Sequence, residues 1–168
     1  MPARILDGSA LRDQILSELR AVIEALAARG CRPGLAAVLV GHDPASEIYV
    51  RSKIKACESL GLYSEKITPS ETVTTDEMLA LVHELNSRNE IDGILVQLPL
   101  PPQVDSKRVL LAVDPSKDVD GFHPFSIGCL VSQRPGLVPC TPAGILEILK
   151  RNQIPIAGRR AEIGRAHV

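Results

Sequence analysis

The sequence predicts three amphipathic helices, between Ser9 and Gly30, between Pro44 and Gly61, and from Thr74 to Leu85. In each of them apolar residues recur three and four positions apart, the spacing of one helix face. Each also begins with a residue that can cap the free N–H groups of a first turn, namely Ser9, Asp43 or Thr74, the last in a capping box with Glu77.

Three candidate strands alternate with these helices. The first, Leu35–Val40, is continuously apolar, the second is formed by residues 62–68, and the third, Gly93–Leu98, is nearly continuously apolar. A run without polar alternation is typical of a strand that is buried on both faces, as in a parallel sheet. The prolines that follow Leu98 end the third strand, because proline has no N–H to donate to a ladder.

The rest of the chain predicts a helix near residues 104–112, a loop over Asp114–Gly121 and a short turn over Pro124–Leu130. A last helix begins with Thr141 as its N-cap and Pro142 in its first position. Alternating helices and doubly buried strands predict an open three-layer α/β/α fold with a mostly parallel sheet. Ligands of such sheets bind outside the carboxyl ends of the strands.

Composition narrows the class of protein. The 168 residues are 45 % hydrophobic, enough for one domain with its own core, but only 2 % aromatic, so Leu, Ile, Val and Ala must form that core. Lys and Arg (19) nearly balance Asp and Glu (20), which makes nucleic acid and membrane poor partners. The four cysteines form no Cys-x-x-Cys pair and no signal peptide is recognisable, so a cytoplasmic location is expected.

Candidate chemistry lies on the second helix. Ser46, Tyr49 and Lys53 are three and four residues apart, which places a hydroxyl, a phenol and an ammonium on one face. A solvated surface position is the ordinary alternative for a helix lysine, and Tyr49 could equally be a core tyrosine. If this face points into the crevice, Lys53 becomes a candidate acid or base for a small polar substrate.

Gln97 is the polar residue at the end of the third strand, directly before Leu98 and Pro99. A buried amide without hydrogen-bond partners costs roughly 1–3 kcal/mol. Gln97 therefore either has a structural role, in which its amide is hydrogen-bonded to a neighbouring loop, or it orients Lys53 or the ligand. Because the first and third strands end at one sheet edge, the segments around Lys53 and Gln97 are expected to converge there.

Asp118 and Asp120 resemble a fragment of a calcium-binding loop, but the other acidic positions of such a loop are missing, so no metal site is predicted. Asp120 stands directly before Gly121, where it either shapes a turn or accepts a pair of N–H donors from a ring such as a pterin. Cys140 is interpreted as a small buried residue.

The pair Tyr49-x-x-x-Lys53 also occurs in short-chain dehydrogenases. Those enzymes carry a glycine-rich dinucleotide loop near the start of the chain, whereas Gly41-His-Asp-Pro44 follows the first strand here. A single short motif of this kind specifies little. A substrate domain like that of shikimate dehydrogenase would have a related architecture, but its motifs are not found in the sequence.

Four ordered segments carry a more specific signature, namely Ala45–Gly61 around Tyr49 and Lys53, Gly93–Pro101 around Gln97, Lys117–Pro124 around Asp120, and Pro139–Gly144. Together they resemble the bifunctional methylenetetrahydrofolate dehydrogenase/methenyltetrahydrofolate cyclohydrolase family. The resemblance implies NADP-dependent oxidation of 5,10-methylenetetrahydrofolate to 5,10-methenyltetrahydrofolate and hydrolysis to 10-formyltetrahydrofolate. These are steps of one-carbon metabolism linked to purine biosynthesis.

The resemblance also implies roles for individual residues. Lys53 would be the catalytic acid or base, Gln97 would hydrogen-bond Lys53, and Asp120 would hold the pterin ring. Tyr49 would contact the folate. By this resemblance the catalytic residues are Lys53, Tyr49 and Gln97, and the substrate site consists of Tyr49, Ser46, Asp120, Gln97 and Pro99.

Members of that family continue into an NADP-binding domain. By the resemblance, residues 1–155 form the catalytic domain and residues 156–168 a linker with a truncated start of the NADP-binding domain. Residues 162–168 read like translated sequencing-adapter DNA and are interpreted as a non-native tail. We therefore expect the chain itself to bind no NADP, to expose an apolar face, and to have low solubility and weak cyclohydrolase activity at most.

Two functions remain open at this point. The chain is either a working part of a folate enzyme or a catalytically inert folate-binding fragment that lacks its cofactor domain. In both cases the expected partners are tetrahydrofolate derivatives and a second copy of the chain in a homodimer.

Overall fold

The computed structural model of the chain describes residues 4–160 and residue 164. Its elements in chain order are α1 (Gly8–Ala27), β1 (Gly34–Val38), α2 (Pro44–Leu60), β2 (Tyr63–Ile67), α3 (Thr75–Ser87), β3 (Gly93–Val96), α4 (Ser106–Ala112), α5 (Pro124–Val131) and α6 (Cys140–Arg151). The predicted non-native tail, residues 162–168, lies outside the described residues except for residue 164. No helix in the described ranges is both long enough and apolar enough to cross a bilayer.

The three strands form one parallel sheet in the order β2-β1-β3. In the central strand, Leu35 is paired with Ser64 of β2 on one side and with Gly93 of β3 on the other. A single parallel bridge between Ile94 and Asp118 extends the pairing beyond β3. This topology confirms the predicted open α/β fold.

Alternate residues of β1, together with Leu39, which follows the strand, enter two separate cores. Ala36 and Val38 pack on one face of the sheet with residues of α3 and α4, whereas Ala37 and Leu39 pack on the other face with α2. Successive side chains of a strand point to opposite faces, so a continuously apolar strand requires helices on both sides. The three layers are therefore those the sequence predicts, and the cores consist of Ala, Val, Leu and Ile together with Met78.

The predicted caps of α2 and α3 are confirmed. Asp43 accepts a hydrogen bond from the Ser46 N–H at 2.8 Å, and Gly61 ends α2 with a φ of 81°, a conformation that glycine adopts without strain. Thr74 and Glu77 form the reciprocal capping box at the start of α3.

The predicted start of α1 is wrong by two residues. Asp7, not Ser9, is the N-cap, because its carboxylate accepts hydrogen bonds from the N–H groups of Ser9 at 2.8 Å and Ala10 at 3.1 Å. Ser9 is instead a residue of the first helical turn.

Two predictions near the end of the chain are also wrong. Pro124–Val131 forms helix α5 and not a turn, because Pro124 has a backbone suited to a first helical position and the His123 ring accepts the Phe125 N–H at 3.0 Å. Helix α6 begins at Cys140, so Thr141 lies within the helix and does not cap it.

Helices α1 and α6 lie at the periphery, and neither has a buried residue. Arg151 of α6 joins them through two hydrogen bonds to the Glu18 carboxylate of α1, at 2.6 and 2.8 Å. Large apolar side chains remain exposed on α5, on α6 and between them, namely Ile127, Leu130, Val131, Leu137, Val138, Ile145 and Leu146. The chain therefore does expose an apolar face.

Candidate functional site

A cavity of about 610 Å³ lies on the α2 side of the sheet, between α1, α2 and the strands β1 and β3. Most of its lining is apolar and includes Leu16, Leu19, Leu35, Leu60, Leu62, Leu95 and Val119. The charged residues of the lining are Lys53, Asp92 and Asp120. A concave, largely apolar volume of this size with a few polar groups is typical of a small-molecule site.

Lys53 reaches this cavity because α2 runs back along the sheet after β1. The helix begins at Pro44, and Lys53 follows nine residues later. At 1.5 Å per residue Lys53 lies about 13 Å along the helix from its first residue. It lines the cavity together with Leu35 of β1 and Leu95 of β3.

Asp120 enters the same cavity from the loop that follows α4. Burial raises the pKa of its carboxyl above the usual range, the positive charge of Lys53 lowers it, and the negative charge of Asp118 raises it further. Lys53 and Asp120 are thus close enough to interact electrostatically. A carboxylate beside an ammonium in an apolar cavity can accept N–H donors from a ring while the ammonium exchanges a proton with it.

Replacement of Asp120 by Asn is expected to stabilise the fold at neutral pH. Because the carboxyl has a higher pKa in the folded chain than in the unfolded chain, its stabilising effect is complete below about pH 4 and is lost as the pH rises through the raised value. At pH 7 the ionised Asp120 therefore lowers the free energy of unfolding of the parent, and Asp120→Asn removes this effect. Urea unfolding should show a higher free energy of unfolding for the variant at pH 7 and no difference near about pH 3.

The control for this prediction is Asp13→Asn on the exposed surface of α1, where Asp13 contacts only the neighbouring Arg12 in the described ion pairs. This change should shift the free energy of unfolding by no more than about 0.5 kcal/mol at either pH. A lower stability of Asp120→Asn at pH 7 would show that burial of this carboxylate carries no cost.

The predicted stripe of Ser46, Tyr49 and Lys53 is divided by the fold. Ser46 is buried, and hydrogen bonds from its hydroxyl and its N–H lower the pKa of Asp43. Tyr49 is 64 % exposed and does not line the cavity that holds Lys53. Of the three predicted groups only Lys53 lines this cavity, because Ser46 completes the cap of α2 and Tyr49 is exposed to solvent.

Gln97 follows β3 at the carboxyl edge, where its N–H donates to the carbonyl of Val38 at 2.9 Å. The ends of β1 and β3 therefore meet, as predicted. The side-chain amide of Gln97 donates to the carbonyl of Leu98 at 2.8 Å, and the predicted hydrogen bond to Lys53 is not among those of the described residues. Pro99, two residues after Gln97, is exposed.

Two cysteines line the cavity. Cys57 stands one turn after Lys53 on α2, and burial raises the pKa of its thiol. Cys140 begins α6, is exposed, and places its Sγ atom 3.7 Å from the carbonyl oxygen of Val119. The prediction that Cys140 is buried is wrong, because α6 lies at the periphery of the fold.

Lys117 has a role that sequence reasoning missed. Its ammonium donates to three carbonyl oxygens at the carboxyl end of α3, those of Leu85 at 3.3 Å, Asn86 at 2.8 Å and Arg88 at 2.8 Å. Such carbonyls lack helical partners and carry partial negative charge, so an ammonium satisfies them well. Its own carbonyl accepts the N–H of Ile94 at 2.8 Å, which ties the loop before Asp120 to β3. The only signal in the sequence was the motif Lys117-Asp-Val-Asp120 itself.

These features define an open α/β domain whose small-molecule cavity combines an ammonium and a carboxylate with an apolar lining. Residues 6–120 match the family model described as tetrahydrofolate dehydrogenase/cyclohydrolase, catalytic domain. The chain therefore belongs to the tetrahydrofolate dehydrogenase/cyclohydrolase family, as its motifs indicated.

Known proteins agree with this assignment. The chain is 64 % identical over 166 residues to the bifunctional protein FolD of Solibacter usitatus, a match that covers 98 % of this chain and 54 % of that protein. The crystal structure of the bifunctional FolD dehydrogenase/cyclohydrolase from Campylobacter jejuni is 43 % identical, with a TM-score of 0.87 over 90 % of this chain and 54 % of that one. The Trypanosoma brucei enzyme, solved with NADP and an inhibitor, is 34 % identical with a TM-score of 0.90 over 94 % and 55 %. The chain thus spans about half the length of the relatives it matches.

Proposed function

We propose that this chain supplies the folate-binding and proton-transferring part of a bifunctional 5,10-methylenetetrahydrofolate dehydrogenase/5,10-methenyltetrahydrofolate cyclohydrolase. The observation that carries the proposal is the presence of Lys53 and Asp120 in one apolar cavity of a chain from this family. In the whole protein the reactions would be oxidation of the methylene compound and hydrolysis of the methenyl compound to 10-formyltetrahydrofolate. Both belong to one-carbon metabolism and serve purine biosynthesis.

Asp120 and Lys53 would have different roles in the hydrolytic step. The Asp120 carboxylate would accept N–H groups of the pterin ring and so fix the ring in the cavity. Lys53, as the neutral amine, would accept a proton from the water that attacks the methenyl carbon, and would then return that proton to the ring nitrogen as its bond to this carbon breaks. The hydroxyl proton of the intermediate would pass to solvent as the formyl group forms, so one proton is released for each substrate hydrolysed.

The remaining predicted residues would act at the mouth of the site. Tyr49 lies one helical turn before Lys53 and is exposed, so its ring would contact the part of the folate that extends from the cavity. Gln97 and Pro99 would border the ligand at the carboxyl edge. Ser46 is not retained in the proposed substrate site, because it is buried within the cap of α2.

The described residues do not suit NADP itself. Dinucleotide folds bind the pyrophosphate at a glycine-rich helix start after the first strand. Here the start of α2 holds the carboxylate of Asp43, which accepts the Ser46 N–H and would repel a phosphate. The helices after β2 and β3 begin likewise, with Glu77 and Asp105 as acceptors of backbone N–H groups. We propose that NADP binds elsewhere in a whole protein.

We also propose a cytoplasmic location and a homodimer. All four cysteines are free thiols, which suits a reducing compartment. The exposed apolar side chains of α5 and α6 offer a surface that a second copy would cover.

Calorimetry with 5,10-methenyltetrahydrofolate, together with a turnover assay on the purified chain, tests the proposed function. We expect binding that Asp120→Asn weakens at least about tenfold, since it loses a charge-assisted pair of hydrogen bonds. Asp13→Asn should bind as the parent does. Binding without turnover would favour the second candidate, an inert folate-binding fragment, and absence of binding by the parent would overturn the proposal.

A further inference from the structure

Asp118 is a buried carboxylate with three hydrogen-bond donors. Only 6 % of the residue is exposed. Its Oδ1 atom accepts the N–H of Gly121 at 3.1 Å, and its Oδ2 atom accepts the N–H of His123 at 2.8 Å and the hydroxyl of Ser126 at 3.0 Å. These bonds close the chain into a tight loop, and Asp120 lies within that loop.

The loop is fixed to the fold on both sides of Asp120. Before it, Lys117 is bonded to the carboxyl end of α3 and to β3. After it, Gly121 has a φ of +68°, and a Cβ atom at this position would lie 2.8 Å from the backbone of Val138. Ser126, which is 2 % exposed, ties the loop to α5. The backbone around Asp120 therefore has little freedom to move.

The side chain of Asp120, by contrast, accepts no hydrogen bond within the described part of the chain. A half-buried carboxylate in an apolar lining lowers its free energy by moving toward water, unless the backbone prevents this movement. We propose that Asp118 is a positioning residue, whose three hydrogen bonds hold the carboxylate of Asp120 in the cavity beside Lys53. The negative charge of Asp118 itself disfavours ionisation of Asp120, so its contribution is geometric. The inference deepens the proposed function, but the positioning can be measured without folate.

A carbon-13 NMR titration of the Asp120 carboxyl tests the positioning. The charge of Lys53 lowers this pKa, so Lys53→Met should raise it in the parent background. In the Asp118→Asn background the same Lys53→Met change should have less than about half that effect, because Asp120 has left the neighbourhood of Lys53. Within each background, the proteins with and without Lys53→Met have the same residue at position 118 and the same second cavity carboxylate, Asp92. The difference between the two therefore reports the charge of Lys53 alone. An equal effect of Lys53→Met in both backgrounds would overturn the proposal.

Two further variants keep the test decisive. Asp114→Asn removes a neighbouring loop carboxylate that is bonded to the N–H and hydroxyl of Ser116, and it should leave the full effect of Lys53→Met. Ser126→Ala removes one of the three donors to Asp118 without a change of charge and should give an intermediate effect. If Asp118→Asn does not fold, the Ser126→Ala background alone tests the proposal. A rise in the Asp120 pKa on Lys53→Met that is as large in this background as in the parent would contradict it.

Binding of 5,10-methenyltetrahydrofolate separates this inference from the proposed function. If the parent binds, Asp118→Asn should weaken binding at least about tenfold, and it should add little in the Asp120→Asn background because both act through one carboxylate. Losses that add independently would show that Asp118 does not act through Asp120. If the parent does not bind, the proposed function fails, while the titration still decides the role of Asp118.

Discussion

Replacement of Lys53 by Met is expected to lower the rate of 5,10-methenyltetrahydrofolate hydrolysis about 10²–10⁴-fold, the contribution typical of a positioned acid or base. Met keeps much of the apolar stem that contacts the cavity and removes the ammonium. Because the chain spans 54 % of its 64 % identical relative, the measurement is best made in a chimera in which residues 1–157 replace the corresponding part of that relative. The quantity compared is kcat.

Lys55→Met is the matched control for this experiment. Lys55 stands two residues later on α2, is exposed, and lines a different surface groove with Arg51 and Lys66. Residues two apart on a helix point to different sides, so Lys55 cannot reach the cavity that holds Lys53. Its replacement should leave kcat unchanged. A chimera whose rate does not respond to Lys53→Met would remove this lysine from the mechanism.

Replacement of Lys117 by Met is expected to destabilise the fold by about 2–4 kcal/mol. The ammonium satisfies three carbonyl oxygens at the end of α3, and a methionine leaves all three without this donor. The change also loosens the connection between α3 and the loop that carries Asp120. Urea unfolding at pH 7 measures the difference in the free energy of unfolding.

Lys107→Met on α4 serves as the control for Lys117→Met. Lys107 is exposed, and its side chain donates no hydrogen bond within the described ranges. Its loss should change the free energy of unfolding by no more than about 0.5 kcal/mol. Equal effects of the two replacements would mean that the three carbonyls find water or other donors at no cost.

Local signals explain why much of the fold could be predicted. The cap at Asp43, the stop at Gly61 and the capping box of Thr74 and Glu77 act within one helical turn, so the sequence alone shows them. The same reasoning failed at α1, where two acceptable caps, Asp7 and Ser9, stand two residues apart and only the backbone shows which one is used.

The candidate site was predictable in its residue types but not in its geometry. Helical spacing correctly placed Lys53 on a face of α2 that turns toward the sheet, and the motif pointed to Asp120. The hydrogen bond between Gln97 and Lys53 was implied by the family resemblance, because spacing within one helix does not reveal which side chains of other elements lie nearby. In the structure the amide of Gln97 is bonded to Leu98.

The sequence by itself determined the order of strands and helices, the doubly buried β1 and the family, because periodicity, caps and short motifs are carried by neighbouring residues. Only the tertiary structure decided that Lys53 shares a cavity with Asp120, that Ser46 is buried in a cap, and that Lys117 and Asp118 anchor the loop between β3 and α5. These relations join residues that are far apart along the chain. They depend on how helices pack against the sheet, which no local pattern encodes.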